Sequence, residues 1–582
     1  MLRLLFDMEG DGLNPTRFWC SSILDLDAKE LTEYGPNEMD KAMLYLNEAD
    51  VLVGHNIIGY DLPYIAKLHG YNFRNKELVD TLVLSRLYSP NREGGHSLGA
   101  WGYKLGYAKV EHEDWSKFSA EMQHRCSEDV RLNYKVLKAL EKEGRGYSKE
   151  CVKLEHQTAI IIYDQIQRGW LFNTNQAVQM LATVRDSLGV LEDEVHRTFL
   201  PKKFPVKVVI PKVKKDGTLS KSGLRTEEYK ALIDSGSFDP FTRYETKVFN
   251  LASRAQIGIW LKDFGWKPTK FTDKGQPKVD EKILSEITGF PEADLINQYL
   301  STSKIRGFLD NWIDSVDDDG RQHGFVNPIG AITGRMTHSR PNLGQVPAKG
   351  DYGPLCRDLF GAAEGYKLVG MDADGLELRM LAHYMKNKQY ILAVNEGDKK
   401  IGTDAHSVNM NAAGLNNRDQ AKTMFYALIY GAGDGKLGKI VGGGAKEGRL
   451  LKSKLFAGLP DLGDLIERVI TSSGRGVLKS LDGRLIHVRS PHSSLNTLLQ
   501  GGGAVVMKQA LVLLDQYATE AGLDYYFVGN IHDEIQAEVA DADVDKYSEL
   551  AVKAMKDAGE HFNMKCPLKG DVKVGNTWKD TH

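Results

Sequence analysis

An acid at the end of an apolar run restricts this chain more than any other feature. A carboxylate is too costly to bury unpaired in a sheet, so it marks where a strand reaches the rim. In YKLVGMDADGLELRMLAH (366–383) Asp372 closes such a run, and in IHDEIQAEV (531–539) Asp533 and Glu534 sit at what reads as a β-hairpin tip. A second set lies near the start. LRLLF runs into DMEGDGL, where Asp7 and Glu9 are two apart and point the same way in extended chain. HNIIGYD adds Asp61 after the strand-like ADVLVGHN (49–56), and QHRCSEDV (123–130) puts Asp129 on a predicted helix. Two carboxylate centres are expected, each gathered from elements distant in sequence.

At 582 residues the chain is long for one core and predicts roughly three or four structural units. A net charge of -3 with 26% charged residues excludes a disordered or broadly basic chain, yet leaves room for a local basic cleft. Five scattered cysteines, never spaced as CxxC, argue against a disulfide framework or a zinc site and fit the reducing cytoplasm. The start, MLRLLFDMEGDG, does not read as a signal peptide, and no membrane segment is expected.

Strand and helix patterns alternate to about residue 145, predicting an α/β domain. A long helical pattern follows to about residue 200 and breaks into PKKFPVKVVIPKVKKDGTLSKSG. This lysine-rich stretch reads either as a solvated, mobile loop or as a contact for DNA phosphates. Farther on, RDQAKTMFYALIYGAGDGKLG sets Arg418, Lys422, Tyr426 and Tyr430 four apart, a slowly drifting stripe on one helix face. Basic and aromatic groups there suit triphosphate and base contacts, although an ordinary amphipathic helix has the same spacing.

The strand aspartate, the RxxxKxxxYxxxYG helix and the HDE hairpin follow the order of motifs A, B and C in the family A, or DNA polymerase I-like, polymerases. The segments DTLVLSRL (80–87), HSLGAWGYKLG (96–106), TGRMTHSRPNL (333–343) and DGRLIHVRSPHSSLNTLLQ (482–500) most resemble the replicative polymerases of T-seven-like podophages. The resemblance implies an α/β multidomain chain with an RNase H-like DEDD exonuclease domain at 1–145. It also implies a right-hand polymerase: thumb and connecting helices at 146–330, and a palm at 331–582 with fingers inserted at about 390–480.

It implies roles as well. Asp372, Asp533 and the Ala373 carbonyl would hold two Mg²⁺ ions, with Glu534 as a supporting acid. Arg418, Lys422 and His406 would grip the incoming dNTP, and Lys422 would protonate the leaving pyrophosphate. Tyr430 would sit by the templating base and Glu377 would crowd a ribose 2′-OH. A hydroxyl at Tyr426 predicts ready dideoxynucleotide incorporation. Arg335 and Gln500 would read minor-groove acceptors of primer–template DNA. The implied replisome partners are a helicase-primase and a single-stranded DNA-binding protein.

Asp7, Glu9, Asp61 and Asp129 likewise resemble the DEDD 3′–5′ exonucleases, in which two Mg²⁺ ions act on a phosphodiester. The family sets a tyrosine four before the last Asp, or a histidine five before it, beside the attacking water. Here Arg125 takes the tyrosine place, and His124 has the histidine spacing. Five residues turn a helix by about 500°, so His124 shares a face with Asp129 only if it lies at the helix entry.

Other departures are a lysine-rich stretch at about 201–238, shorter than the relatives' thioredoxin-binding insertion, and the extra acid Asp374. Weak or absent thioredoxin binding is therefore expected. Two alternatives stay open: a polymerase whose proofreading is weakened by Arg125, and a non-catalytic DNA-binding protein on the same fold.

Overall fold

The computed structural model describes residues 1–582, apart from the side chain of residue 281. It divides into two compact units, one of residues 1–173 with 315–582, the other of residues 174–314.

In the first unit, the N-terminal segment forms a five-stranded sheet in the order Leu31–Tyr34, Phe18–Asp25, Arg3–Gly10, Val51–Gly54, Glu77–Asp80. Pairing is antiparallel on one side of Arg3–Gly10 and parallel on the other. Leu4, Leu5 and Phe6 are fully buried in a row, which is why this strand reads as a run rather than an alternation. Helix Ala120–Glu143 starts at Ser119, whose hydroxyl accepts from the Met122 N–H, and packs on the two central antiparallel strands. Met122, Cys126, Val130, Asn133, Leu137 and Leu140 form its buried stripe, at three- and four-residue spacing.

The C-terminal segment holds a four-stranded antiparallel sheet in the order Tyr525–Ile531, Glu534–Ala540, Tyr366–Ala373, Gly570–Gly575. Helices Ser494–Glu520 and Val544–His561 pack on each other, and Val369, Met371, Ile535 and Ala537 share their core. Burying one such aliphatic side chain contributes about 1.5–3 kcal/mol. Helix Ser494–Glu520 is long and apolar enough to cross a bilayer, yet most of it is buried in this core. Gly502 within it costs about 1 kcal/mol of helix propensity. A Cβ there would stand 2.4 Å from Met380 Cε, so the glycine admits helix Leu376–Met385, which follows Asp372 directly. Between strands Tyr366–Ala373 and Tyr525–Ile531 the chain is mostly helical, including Ala405–Ala413 and Arg418–Ile429.

The second unit has its own core of Phe199, Phe249, Trp260, Leu261 and Ile296. The lysine-rich stretch, expected as a solvated loop or DNA contact, begins as a strand and stays irregular and mostly exposed from residue 210 to residue 225. Strand Lys202–Val209 pairs antiparallel with Phe241–Lys247, and helix Thr226–Ser235 lies between them in sequence. Prolines and lysines mask a strand whose Phe204 packs on Trp260, ring centroids 5.3 Å apart, while Arg243 Nε donates to Glu228 Oε1 at 2.6 Å.

Candidate active sites

The hairpin between Tyr525–Ile531 and Glu534–Ala540 turns at His532, which takes φ 59°, a left-handed conformation that costs a residue with a side chain about 1–2 kcal/mol. The turn sets Asp533 beside the end of Tyr366–Ala373, where the Ala373 N–H donates to the Asp533 carbonyl at 3.0 Å. Asp372 pairs in register with Glu534, so both side chains leave the same face of the sheet. Partial desolvation, then the charges of Asp533 and Glu534, push the Asp372 carboxyl up to about 6. Glu534 differs. Burial raises it, but hydrogen bonds from His582, Gln536 and Trp578 outweigh burial and hold it below the usual range. Trp578 Nε1 donates to Glu534 Oε1 at 2.7 Å and His582 Nδ1 lies 3.3 Å from Oε2, which leaves Glu534 a pinned, supporting acid. Asp374 is tied elsewhere: its Oδ2 accepts from buried Arg379 at 2.6 Å.

Helix Arg418–Ile429 carries the basic and aromatic stripe and ends at Tyr430. Asp404, the cap of helix Ala405–Ala413, receives Arg418 Nη2 at 2.5 Å and Nε at 3.2 Å, so the guanidinium is held in place. Burial raises the Asp404 carboxyl, but bonds from Arg418 and Ser407 carry it far below the usual range. His406 is buried with Nδ1 unpartnered and faces Tyr426 at 5.8 Å between centroids. Lys422 is exposed and has no acidic partner among the described residues. The Tyr426 and Tyr430 rings stack at 6.3 Å, and the Tyr430 hydroxyl donates to Glu377 at 2.8 Å. Desolvation and the Glu377 carboxylate push the Tyr430 phenol up to about 12. Arg335 reaches within 3.8 Å of Glu377, and Gln500 is half-buried on helix Ser494–Glu520.

In the N-terminal sheet, ligand oxygens of Asp7, Glu9 and Asp129 lie within 4.8 Å of one another. Asp61, the first residue of helix Asp61–His69, is 3% exposed, as is Asp129. Burial is the largest cause raising all four carboxyls; mutual repulsion adds to it, and Glu9 reaches about 7 although Arg125 opposes the rise. Asp61 Oδ1 and Asp129 Oδ1 are buried with no hydrogen-bond partner. Orphaned carboxylate oxygens in a cluster of acids are the donor set of a hard divalent cation, so the residues fit one.

His124, expected beside the attacking water, is not brought to this cluster. It is the fifth residue of a regular helix rather than its entry, and it stands exposed. Arg125, one turn before Asp129, points inward instead.

Residues 235–580 match the family described as DNA polymerase family A. Over its full length the chain is 33% identical to the DNA-directed DNA polymerases of Enterobacteria phage T3 and Escherichia phage T7, covering 100% of each. The chain belongs to DNA polymerase family A. This family A polymerase is also 29% identical to DNA polymerase I of Pseudomonas aeruginosa over 57% of its own length and 39% of that protein. The POL domain of Pol1 from M. smegmatis, solved in complex with DNA primer-template and dNTP, superimposes with a TM-score of 0.77 at 18% identity, covering 100% of this chain and 96% of that one.

Sequence reasoning about this DNA-directed DNA polymerase missed three partners. Lys109 sits at the N-terminal acids, Asp404 orients Arg418, and buried Glu155 accepts from Lys508 Nζ at 2.6 Å. The last pair, joined by Arg484, links helix Lys149–Arg168 to helix Ser494–Glu520 inside the core. The Asp in GTDAHS, a residue type that caps helices, hinted at a cap in Asp404; Lys109 left no local signal.

Proposed function

We propose that this polymerase extends primers at Asp372 and Asp533 and removes mispaired 3′ ends at the Asp7, Glu9, Asp61 and Asp129 cluster. The observation that carries the reading is the presence of two separate carboxylate centres, one where strand Tyr366–Ala373 meets the turn that bears Asp533 and the other with orphaned buried oxygens. In this reading residues 1–145 are an RNase H-like exonuclease domain, 146–330 thumb and connecting helices, and 331–582 a palm with fingers at about 390–480.

Asp372, Asp533 and the Ala373 carbonyl would hold Mg²⁺ at the first centre and the four N-terminal acids would hold it at the second, where it supplies acidity toward a hydroxyl or water and offsets phosphate charge. In synthesis the primer 3′-oxygen attacks the α-phosphorus and the bond to the β-phosphate breaks. Lys422, free of any acid, donates the proton the pyrophosphate needs. Arg418, fixed by Asp404, and the unpartnered His406 Nδ1 meet phosphate oxygens. Glu377, held by Tyr430, crowds a 2′-hydroxyl and selects deoxynucleotides, while Arg335 and Gln500 contact the primer–template minor groove. Primer–template DNA and dNTPs are its substrates, and a helicase-primase and single-stranded DNA-binding protein are its expected partners. With residues 201–238 folded into a short ribbon and helix, no dependence on thioredoxin is proposed. Five buried free cysteines support a reducing compartment such as the cytoplasm.

Primer extension and 3′ trimming by Asp533→Ala and Asp61→Ala test the two-centre reading. Synthesis is expected to fall about 10³-fold in the first variant alone and trimming by a similar factor in the second alone. Loss of both activities in either variant would sink it. Lys109 and Arg125 inside the acid cluster favour a second reading, in which trimming is present but slow.

A further inference from the structure

Two fixed cations stand inside the N-terminal acid cluster. Lys109 Nζ lies 2.8 Å from Asp129 Oδ2. Arg125 sets one guanidinium nitrogen 3.0 Å from Glu9 Oε1 and another 3.6 Å from Asp129 Oδ2. Arg125 is not a surface side chain that happens to swing in. Its Nε donates to the Val110 carbonyl at 3.1 Å, its guanidinium lies 4.6 Å over the Trp115 ring, and its side chain is 13% exposed. The Trp115 carbonyl in turn accepts from Trp19 Nε1 at 2.9 Å, so the platform under Arg125 is anchored to strand Phe18–Asp25. Each of these contacts opposes withdrawal of the guanidinium from the acids.

The positive charge is unevenly spread. Glu9 and Asp129 each face a cation, whereas no basic side chain among the described residues forms an ion pair with Asp7 or Asp61. The oxygens without any partner are Asp61 Oδ1 and Asp129 Oδ1. Once all four carboxylates are ionised, one lysine and one arginine against them leave a residual charge that a single divalent cation balances. A second divalent cation would put the centre in positive excess and would have to displace a guanidinium that is stacked, hydrogen-bonded and mostly buried.

We propose that this centre takes one divalent cation, held by Asp7 and the partnerless oxygens of Asp61 and Asp129, and that Lys109 and Arg125 supply the positive charge a second ion would bring. The inference rests on the exonuclease reading of the cluster and narrows it: Lys109 and Arg125 are charge-balancing, positioning residues, and the ion count is a property of this chain's own side chains.

Manganese is the probe. The full chain carrying Asp372→Asn and Asp533→Asn, which weakens the other carboxylate pair, is titrated with Mn²⁺ and the bound ion counted by electron paramagnetic resonance. 3′ trimming is followed in the same preparation. About one ion per chain is expected, lost on adding Asp61→Ala, and rising to about two on adding Lys109→Ala with Arg125→Ala, with circular dichroism confirming the fold. Two ions in the cluster before those substitutions, with trimming intact, would overturn the inference and leave the exonuclease reading standing. One ion both before and after them would overturn the assignment to Lys109 and Arg125. No ion and no trimming would remove both the inference and the reading beneath it. Should the double variant not fold, the count in its parent, with and without Asp61→Ala, decides by itself.

Discussion

Asp372 stands exposed at the end of its strand, whereas Asp61 and Asp129, both on helices, are buried at 3% exposure. Both centres collect carboxylates from separate elements, the first from two strands and their turn, the second from a strand and two helices, and their surroundings differ in kind. The first is flanked by a pinned Glu534, with cations gathered on the helix Arg418–Ile429, where a triphosphate is proposed to bind. The second has its cations built in, on Glu9 and Asp129 themselves. An exposed pair can wait for charge that arrives with a substrate; a buried cluster must carry its counter-charge or hold protons.

That contrast can be broken most strongly on the nucleotide side. Arg418→Ala removes a guanidinium that Asp404 positions, and kcat/KM for dNTP is expected to fall about 10²–10³-fold while 3′ trimming stays within a factor of about two. Equal loss of trimming would mean the two centres are not separate. A smaller effect is expected at Tyr426: Tyr426→Phe deletes one hydroxyl and should raise discrimination against dideoxynucleotides about 10–100-fold in single-nucleotide extension, the worth of one hydrogen bond to a charged group. A strong preference for dNTP over ddNTP in the unaltered chain would count against this.

The buried centre makes its own prediction about pH. Burial raises Glu9 to about 7, so between the ordinary glutamate range and that value the native chain keeps a proton that the unfolded chain has released. Stability therefore falls as pH rises through this window. Mg²⁺ should raise the melting temperature more at about pH 8 than at about pH 5, and should do so less in Asp61→Ala; a pH-independent effect would place the ion elsewhere. The smallest change is expected for His124→Ala. The histidine is exposed and forms no ion pair with the acids among the described residues, and excision within a factor of about two of the unaltered rate is predicted. A large loss would return His124 to the chemistry.

Much of the frame was legible in the sequence. The run ending in Asp372 became strand Tyr366–Ala373 and the HDE segment a hairpin, because an apolar run and a polar stop specify local structure, while the strand read as ending at Asp7 runs on, paired, to Gly10. The four-residue stripe also held as a helix, Arg418–Ile429. Within the stretch at 201–238, strand Lys202–Val209 was missed because its prolines and lysines hide the Phe204 contact with Trp260, while residues 210–225 are the irregular chain that was expected. His124 was within reach of helix arithmetic: Ser119 caps the helix five residues earlier, so His124 is already inside a regular turn.

By itself the sequence determined which acids end which strands and which side chains share a helix face, since both follow from the repeat of the backbone over a few residues. Tertiary structure alone decided what those acids feel. That Lys109 meets Asp129, that Arg125 reaches from its helix to Glu9 on a strand, and that Glu534 is fastened by Trp578 and His582 are facts of distance through space. Charge and desolvation act over that distance, not along the chain.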